Sequence, residues 1–141
     1  MSLSARVPPP LPVPRPPAVL VVDDDEATAH LVRRWLERAR NASVTTAHDG
    51  MSALAMSART DFDAVFTDIE MIEESGADFA RLLRLVRPTL PICLMSGRMR
   101  PERALESLGV AVHGFLSKPL QPEIVVGHLD AMLGGTAVFS A

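Results

Sequence analysis

With one cysteine, one tryptophan and no tyrosine, this 141-residue chain is poor in the residues that staple or decorate small folds. A lone cysteine excludes an internal disulfide. Cys93, inside the apolar run Ile92-Cys93-Leu94-Met95, reads as a small buried hydrophobe, not a reactive thiol. No apolar run approaches the roughly 20 residues that cross a bilayer. The first residues lack a signal peptide's unbroken apolar core, because prolines interrupt them. A basic excess is missing too. The formal net charge of -3 argues against binding driven by a nucleic-acid phosphate backbone. These absences predict a cytoplasmic chain with no membrane segment and no direct nucleic-acid contact.

What the chain does have is apolar residues, at 48%, which is enough for a real core in one domain. Seven of its 12 prolines crowd between Pro8 and Pro17. That segment lacks the backbone donors for a helix or a central strand, so residues 1–17 are expected to form an extended tail or linker. The folded region is expected over 18–133, and 134–141 reads as a C-terminal tail.

Within 18–133 two periodicities alternate. Strands are predicted over 18–22, 43–47, 62–67, 91–95 and 113–116, the first a continuous apolar run suited to burial on both faces. Helices fill the intervals. The first carries the stripe Ala27, Leu31, Trp35 and Ala39, widened by Val32 and Leu36. The second spans 51–58, capped by Asp49 or Gly50. The third covers 78–86, with Phe79, Leu82, Leu83 and Val86 as its apolar face. A fourth runs over 101–108, opened by Pro101 and closed at Gly109. The fifth begins near Pro122 with Ile124, Val125, Leu129 and Leu133 as its buried face. Five strand–helix alternations predict an α/β fold: a doubly wound, five-stranded parallel sheet with five helices.

The chemistry lies where strands end. Asp23-Asp24-Asp25 follows the first strand, Asp68 the third, Ser96-Gly97 the fourth and Lys118-Pro119 the fifth. In open α/β sheets ligands bind at that carboxyl edge. One aspartate there would do as a helix cap. Three adjacent carboxylates repel one another unless a cation or lysine neutralises them, and hard divalent ions such as Mg²⁺ take such oxygen ligands. Asp68 alone reads as an ordinary loop acid. Beside the other acids, it is a carboxylate able to act as a nucleophile toward phosphorus. Lys118 could pair with Asp68 or with a phosphoryl oxygen, and the Ser96 hydroxyl could donate to another such oxygen. Gly97 leaves its own N–H accessible.

In this order the pieces resemble the receiver domain of two-component response regulators. They are Val19-Leu20-Val21-Val22-Asp23-Asp24-Asp25, Phe66-Thr67-Asp68-Ile69-Glu70-Met71 with Gly76 eight residues beyond the acid, Met95-Ser96-Gly97, and Phe115-Leu116-Ser117-Lys118-Pro119. The resemblance covers 18–133 and implies a flavodoxin-like strand order of 2-1-3-4-5. It implies that Asp68 accepts a phosphoryl group from a sensor histidine kinase or phosphotransfer protein. Mg²⁺, or Mn²⁺ in its place, would be held by Asp23, Asp24, Asp68 and the Glu70 carbonyl. Ser96, Gly97 and Lys118 would bind the phosphoryl oxygens, and Ser96 and Phe115 would form the switch. The Lys118–Pro119 bond is expected to be cis. Glu70 and Arg98 occupy positions that tune phosphoryl lifetime, either by pairing across the site mouth or as two independent solvated side chains.

Output is expected through protein contact on the face of the fourth helix, fifth strand and fifth helix, or from a domain absent from this chain, with homodimerisation left open. The residues after 133 are too few for an output domain. The chain departs from the family pattern at Ile72, where a proline is common, and at Glu74 and Ser75, which predict a more acidic, more mobile loop over 72–75. Phe115 replaces a frequent tyrosine. Two rivals stand beside this reading. One is a receiver-like interaction module without phosphorylation; the other is a Mg²⁺-dependent phosphatase working through an aspartyl phosphate.

Overall fold

A computed structural model describes residues 15–71, 76–98, 100, 103, 106, 109, 111–135 and 138–139. Its elements run β1(Ala18–Val22), α1(Glu26–Arg40), β2(Ser43–Ala47), α2(Gly50–Arg59), β3(Ala64–Asp68), α3(Gly76–Val86), β4(Ile92–Ser96), β5(Gly114–Ser117), α4(Pro122–Leu133) and β6(Val138–Phe139). All strand pairs are parallel, in the order β2-β1-β3-β4-β5-β6. The expected 2-1-3-4-5 sheet is therefore present, with one strand added at its β5 side.

Alternation along the strands builds two cores. Leu20, Val22, Val65, Ile92, Leu94 and Phe115 face one way, onto Ala53 of α2 and Phe79, Ala80 and Leu83 of α3. Val19, Val21, Phe66, Cys93, Met95 and Leu116 face the other, onto α1 and α4. A strand between two helical layers has no polar face, which is why β1 and β4 read as unbroken apolar runs. Cys93 lies fully inside the second core.

Helix ends follow local chemistry. Asp25 caps α1, accepting from Ala27 N–H at 3.1 Å and from the Thr28 hydroxyl at 2.8 Å. Asp49, not Gly50, caps α2 through Ser52 N–H at 2.7 Å. Asn41 closes α1 in the left-handed region, at φ 52°. Pro122 opens α4, where its missing N–H costs nothing. Arg40 at the end of α1 grips Asp130 of α4 with two bonds of 2.7 Å, tying together the two helices on that side of the sheet.

Several predicted faces are corrected. In α1 the buried residues are Ala29, Val32 and Leu36, while Ala27, Leu31 and Ala39 are exposed and Trp35 is half-buried. In α3, Leu82 and Val86 are exposed. In α4, Ile124 and Leu133 are exposed, and His128 and Met132 join Val125 and Leu129 inside. Each helix carries more apolar residues than one sheet face can cover, so rotation against the sheet decides which go under. Four helices have defined bounds among the described residues, against five expected. The helix predicted over 101–108 falls largely outside the described residues, although Arg103 and Glu106 are helical. The 72–75 loop and residues 1–14 also lie outside them. No described helix is long and apolar enough to cross a membrane.

Candidate functional site: a cluster of acids at the carboxyl edge

The register places the polar strand ends side by side. Asp68 pairs across to Met95, and Ser96 to Ser117, so the strands reach one residue further than the sequence predicts at β3, β4 and β5. These polar residues stay in the ladder because their backbones still have partners. Ile69 N–H donates to the Met95 carbonyl at 3.1 Å and Lys118 N–H to the Ser96 carbonyl at 2.8 Å. Asp23 is fixed in the same way, its N–H donating to the Ala47 carbonyl at 3.0 Å.

Asp23, Asp24 and Asp68 each bring a carboxylate oxygen to within 4.8 Å of the others. Asp23 is fully buried and Asp68 is 3% exposed, so water does little to screen them. Lys118 Nζ answers part of that charge, donating to Asp23 Oδ2 at 3.0 Å and to Asp68 Oδ2 at 3.2 Å. One ammonium against three carboxylates leaves an excess of negative charge. Burial pushes the Asp23 carboxyl up to about 6, and the neighbouring Asp68 charge adds to the push; the Asp25 N–H and Lys118 oppose it. Burial works against the Lys118 ammonium, but its bonds and charge contacts with Asp23 and Asp68 outweigh that and raise its pKa.

Such a donor set fits a hard divalent cation. All its side-chain ligands are oxygens, converging and under-neutralised, as Mg²⁺ requires. The remaining lone pairs are already positioned. Asp23 Oδ1 accepts from Asp25 N–H at 2.9 Å, and Asp68 Oδ1 from Glu70 N–H at 2.9 Å. His48, which the sequence did not single out, places Nδ1 3.1 Å from the Asp23 carbonyl, an atom that can only accept.

The other predicted residues surround this cluster. The Lys118–Pro119 peptide is cis. Gly97 faces Lys118, but a Cβ there would meet Lys118 Cβ at 3.6 Å, an ordinary contact. Its missing side chain is therefore not a steric requirement. Phe115 is fully buried among Leu94, Val112 and their neighbours, so its ring already points inward. The Arg98 side chain is 88% exposed, with Nε 3.7 Å from Glu70 Oε2. An exposed pair of that length contributes little.

Glu70 has stronger partners than Arg98's side chain. Its Oε1 accepts a close hydrogen bond from the Ser96 hydroxyl and another from Arg98 N–H, the latter at 2.8 Å. Burial disfavours its charge, yet the Ser96 hydroxyl, the Arg98 and Gly97 amides and the Arg98 charge outweigh this and hold it below its ordinary value. The sequence offered Glu70 and Arg98 either as a side-chain pair or as two independent solvated side chains. Nothing in the spacing indicated that the backbone of 97–98 and Ser96 would be the principal partners.

Comparison with known proteins agrees with this geometry. The family model described as the response regulator receiver domain matches residues 19–130. The chain is 36% identical over 124 residues to the probable transcriptional regulatory protein TcrX of Mycobacterium tuberculosis, an alignment covering 88% of this chain and 53% of TcrX. It is 34% identical over 118 residues to the response regulator MprA of Mycobacterium avium, covering 84% of this chain and 51% of MprA. The chain thus spans about half the length of these curated relatives. Among solved structures, the chemotaxis response regulator CheY4 of Vibrio cholerae superposes with a TM-score of 0.75 at 29% identity, over 84% of this chain and 100% of CheY4.

Proposed function

The chain belongs to the response regulator receiver domain family of two-component systems, and on that premise we propose that it is a switch set by phosphorylation of Asp68. The observation that carries this reading is the seat of Asp68. Its carboxylate is almost fully buried at the carboxyl end of β3, 3.2 Å from Lys118 Nζ and within 4.8 Å of two further carboxylates.

A sensor histidine kinase or phosphotransfer protein presents a phosphohistidine. A carboxylate oxygen of Asp68 attacks its phosphorus, the P–N bond breaks, and an acyl phosphate remains on the chain. Mg²⁺, when bound, would supply positive charge against the charge that develops during the transfer. Asp23, Asp24, Asp68 and the Glu70 carbonyl would hold it. Lys118 stays at Asp68 as a fixed counter-charge on the phosphoryl oxygens, while Ser96 and the Gly97 N–H donate to them. The product carries about -1.5 to -2 charge where the carboxylate carried one, and rearrangement around Ser96 and Phe115 reads out that difference. The chain promotes only its own phosphorylation and dephosphorylation, and turns over no separate substrate.

Output is proposed through protein contact on the face of β5 and α4; the fourth helix expected beside them lies largely outside the described residues. The net charge of -3 makes this domain itself a poor binder of nucleic acid. TcrX is named a probable transcriptional regulatory protein, and the alignment with this chain covers 53% of it. The setting is cytoplasmic. The test is incubation with acetyl phosphate and Mg²⁺, comparing the parent chain with Asp68→Asn on a phosphate-affinity gel. A retarded band that disappears in Asp68→Asn is expected; no Asp68-dependent band would overturn the reading.

A further inference from the structure

Glu70 does two things at once. Its backbone N–H holds Asp68 Oδ1 at 2.9 Å, while its side chain reaches across to β4. There Oε1 takes the Ser96 hydroxyl and Arg98 N–H, with Gly97 N–H contributing. The register sets Ser96 one residue beyond Met95, the partner of Asp68, and Ser96 and the Gly97 N–H are the donors that a phosphoryl group on Asp68 would use. Ser96 is 1% exposed, so its hydroxyl needs a partner inside the protein, because a buried hydroxyl left unpartnered is costly. The Glu70 carboxylate is such a partner. Its side chain is also 23% exposed, so it lies at the mouth of the site with solvent to retreat into.

We propose that the Glu70 carboxylate is an internal stand-in for the phosphoryl group, latching Ser96 and the 97–98 amides in the resting state, and that phosphorylation of Asp68 switches the domain by displacing it. This deepens the reading of Asp68 as phosphoacceptor and rests on it. The competition is between two anions for one set of donors. Glu70 offers a single negative charge on a movable side chain. A phosphoryl group offers more charge and is covalently fixed beside the donors, so it wins once formed. Until then each donor released from Glu70 must be taken up by the newcomer, and the latch raises the threshold for switching. Glu70 is a positioning residue here; it acts on the phosphoryl site through Ser96.

Beryllofluoride, a phosphoryl mimic, measures this threshold on the full chain in Mg²⁺. Releasing the donors from a charged acceptor makes them available to the mimic, so Glu70→Ala is expected to bind it about 10- to 100-fold more tightly than the parent. Simple removal of a repelling charge could also tighten binding. Ser96→Ala separates the two effects: through the latch, the gain from Glu70→Ala shrinks at least threefold in that background. An equal gain in both backgrounds would overturn the latch. A second readout is the resting amide resonance of Arg98, which Glu70→Ala should shift and an inert Glu70 would leave in place. If the parent binds and Glu70→Ala merely matches it, only the latch falls. If neither binds, the reading of Asp68 falls, and the latch with it.

Discussion

Lys118 Nζ hydrogen-bonds Asp23 Oδ2 at 3.0 Å, bridging β5 and β1 although β3 and β4 lie between them in the sheet. Even with that bond, burial leaves the Asp23 carboxyl raised to about 6, against 3.8 ordinarily. The folded state therefore holds a proton on Asp23 more tightly than the unfolded chain does. The stability this group contributes is complete below 3.8 and is lost as pH rises through about 6. A divalent ion competes with the same proton. Mg²⁺ affinity should be level above about pH 7 and fall roughly tenfold per unit below about pH 5, as metal sites with protonated ligands do. Calorimetric titrations across that range check this, and an affinity indifferent to pH would contradict it.

Removing the ammonium exposes the acids to one another. A buried charge pair that loses one partner costs about 3–5 kcal/mol, and Lys118 keeps 26% of its side chain in water, so Lys118→Ala should cost roughly 1–3 kcal/mol near pH 7. The loss should grow as pH rises, because the unpaired acids hold protons still more tightly when folded. Mg²⁺ supplies the missing positive charge and should therefore stabilise the variant more than the parent. Urea unfolding with and without Mg²⁺ reads both effects. A variant as stable as the parent without metal would count against this account of the site's charge.

Cys93 is enclosed by the second core, and burial pushes its thiol far above its ordinary value. A thiol that is both shut away and un-ionised does not attack disulfide reagents. Ellman's reagent should leave the native chain untouched and label one thiol per chain once urea unfolds it. Rapid labelling of the native protein would show that β4 opens readily.

Much of this was legible in the sequence because strand ends announce themselves. A short apolar run stopped by Asp23, Asp68, Ser96 or Lys118 fixes both the strand and the edge to which its functional group is delivered. The alternation of elements then gives a parallel sheet, whose strand order the resemblance to receiver domains implies. The division of labour among Asp23, Asp24 and Asp25 was not legible in the three residues themselves, since each fits either a cap or an ion. The family resemblance assigned Asp23 and Asp24 to the ion, and the folded turn has Asp25 taking the cap while those two join Asp68.

Helix faces were blurred for a different reason. Leu31, Leu82, Val86 and Ile124 fit an apolar stripe by spacing, but the angle at which a helix lies on the sheet decides burial by less than one turn. The seat of Glu70 depends on β3 lying beside β4 and on a side chain crossing between them. No local pattern encodes that. The strand Val138–Phe139 is too short to leave any periodicity at all.

That short strand bears on how molecules of this protein meet one another. By pairing Val138 with Gly114 and Phe139 with Phe115, the chain turns β5 from a border into an interior strand. The sheet's new border is two residues long, too brief to template the backbone of a neighbour, which is one way natural sheets avoid growing into aggregates. A second copy seeking to pair with β5 on that side would first have to peel β6 away.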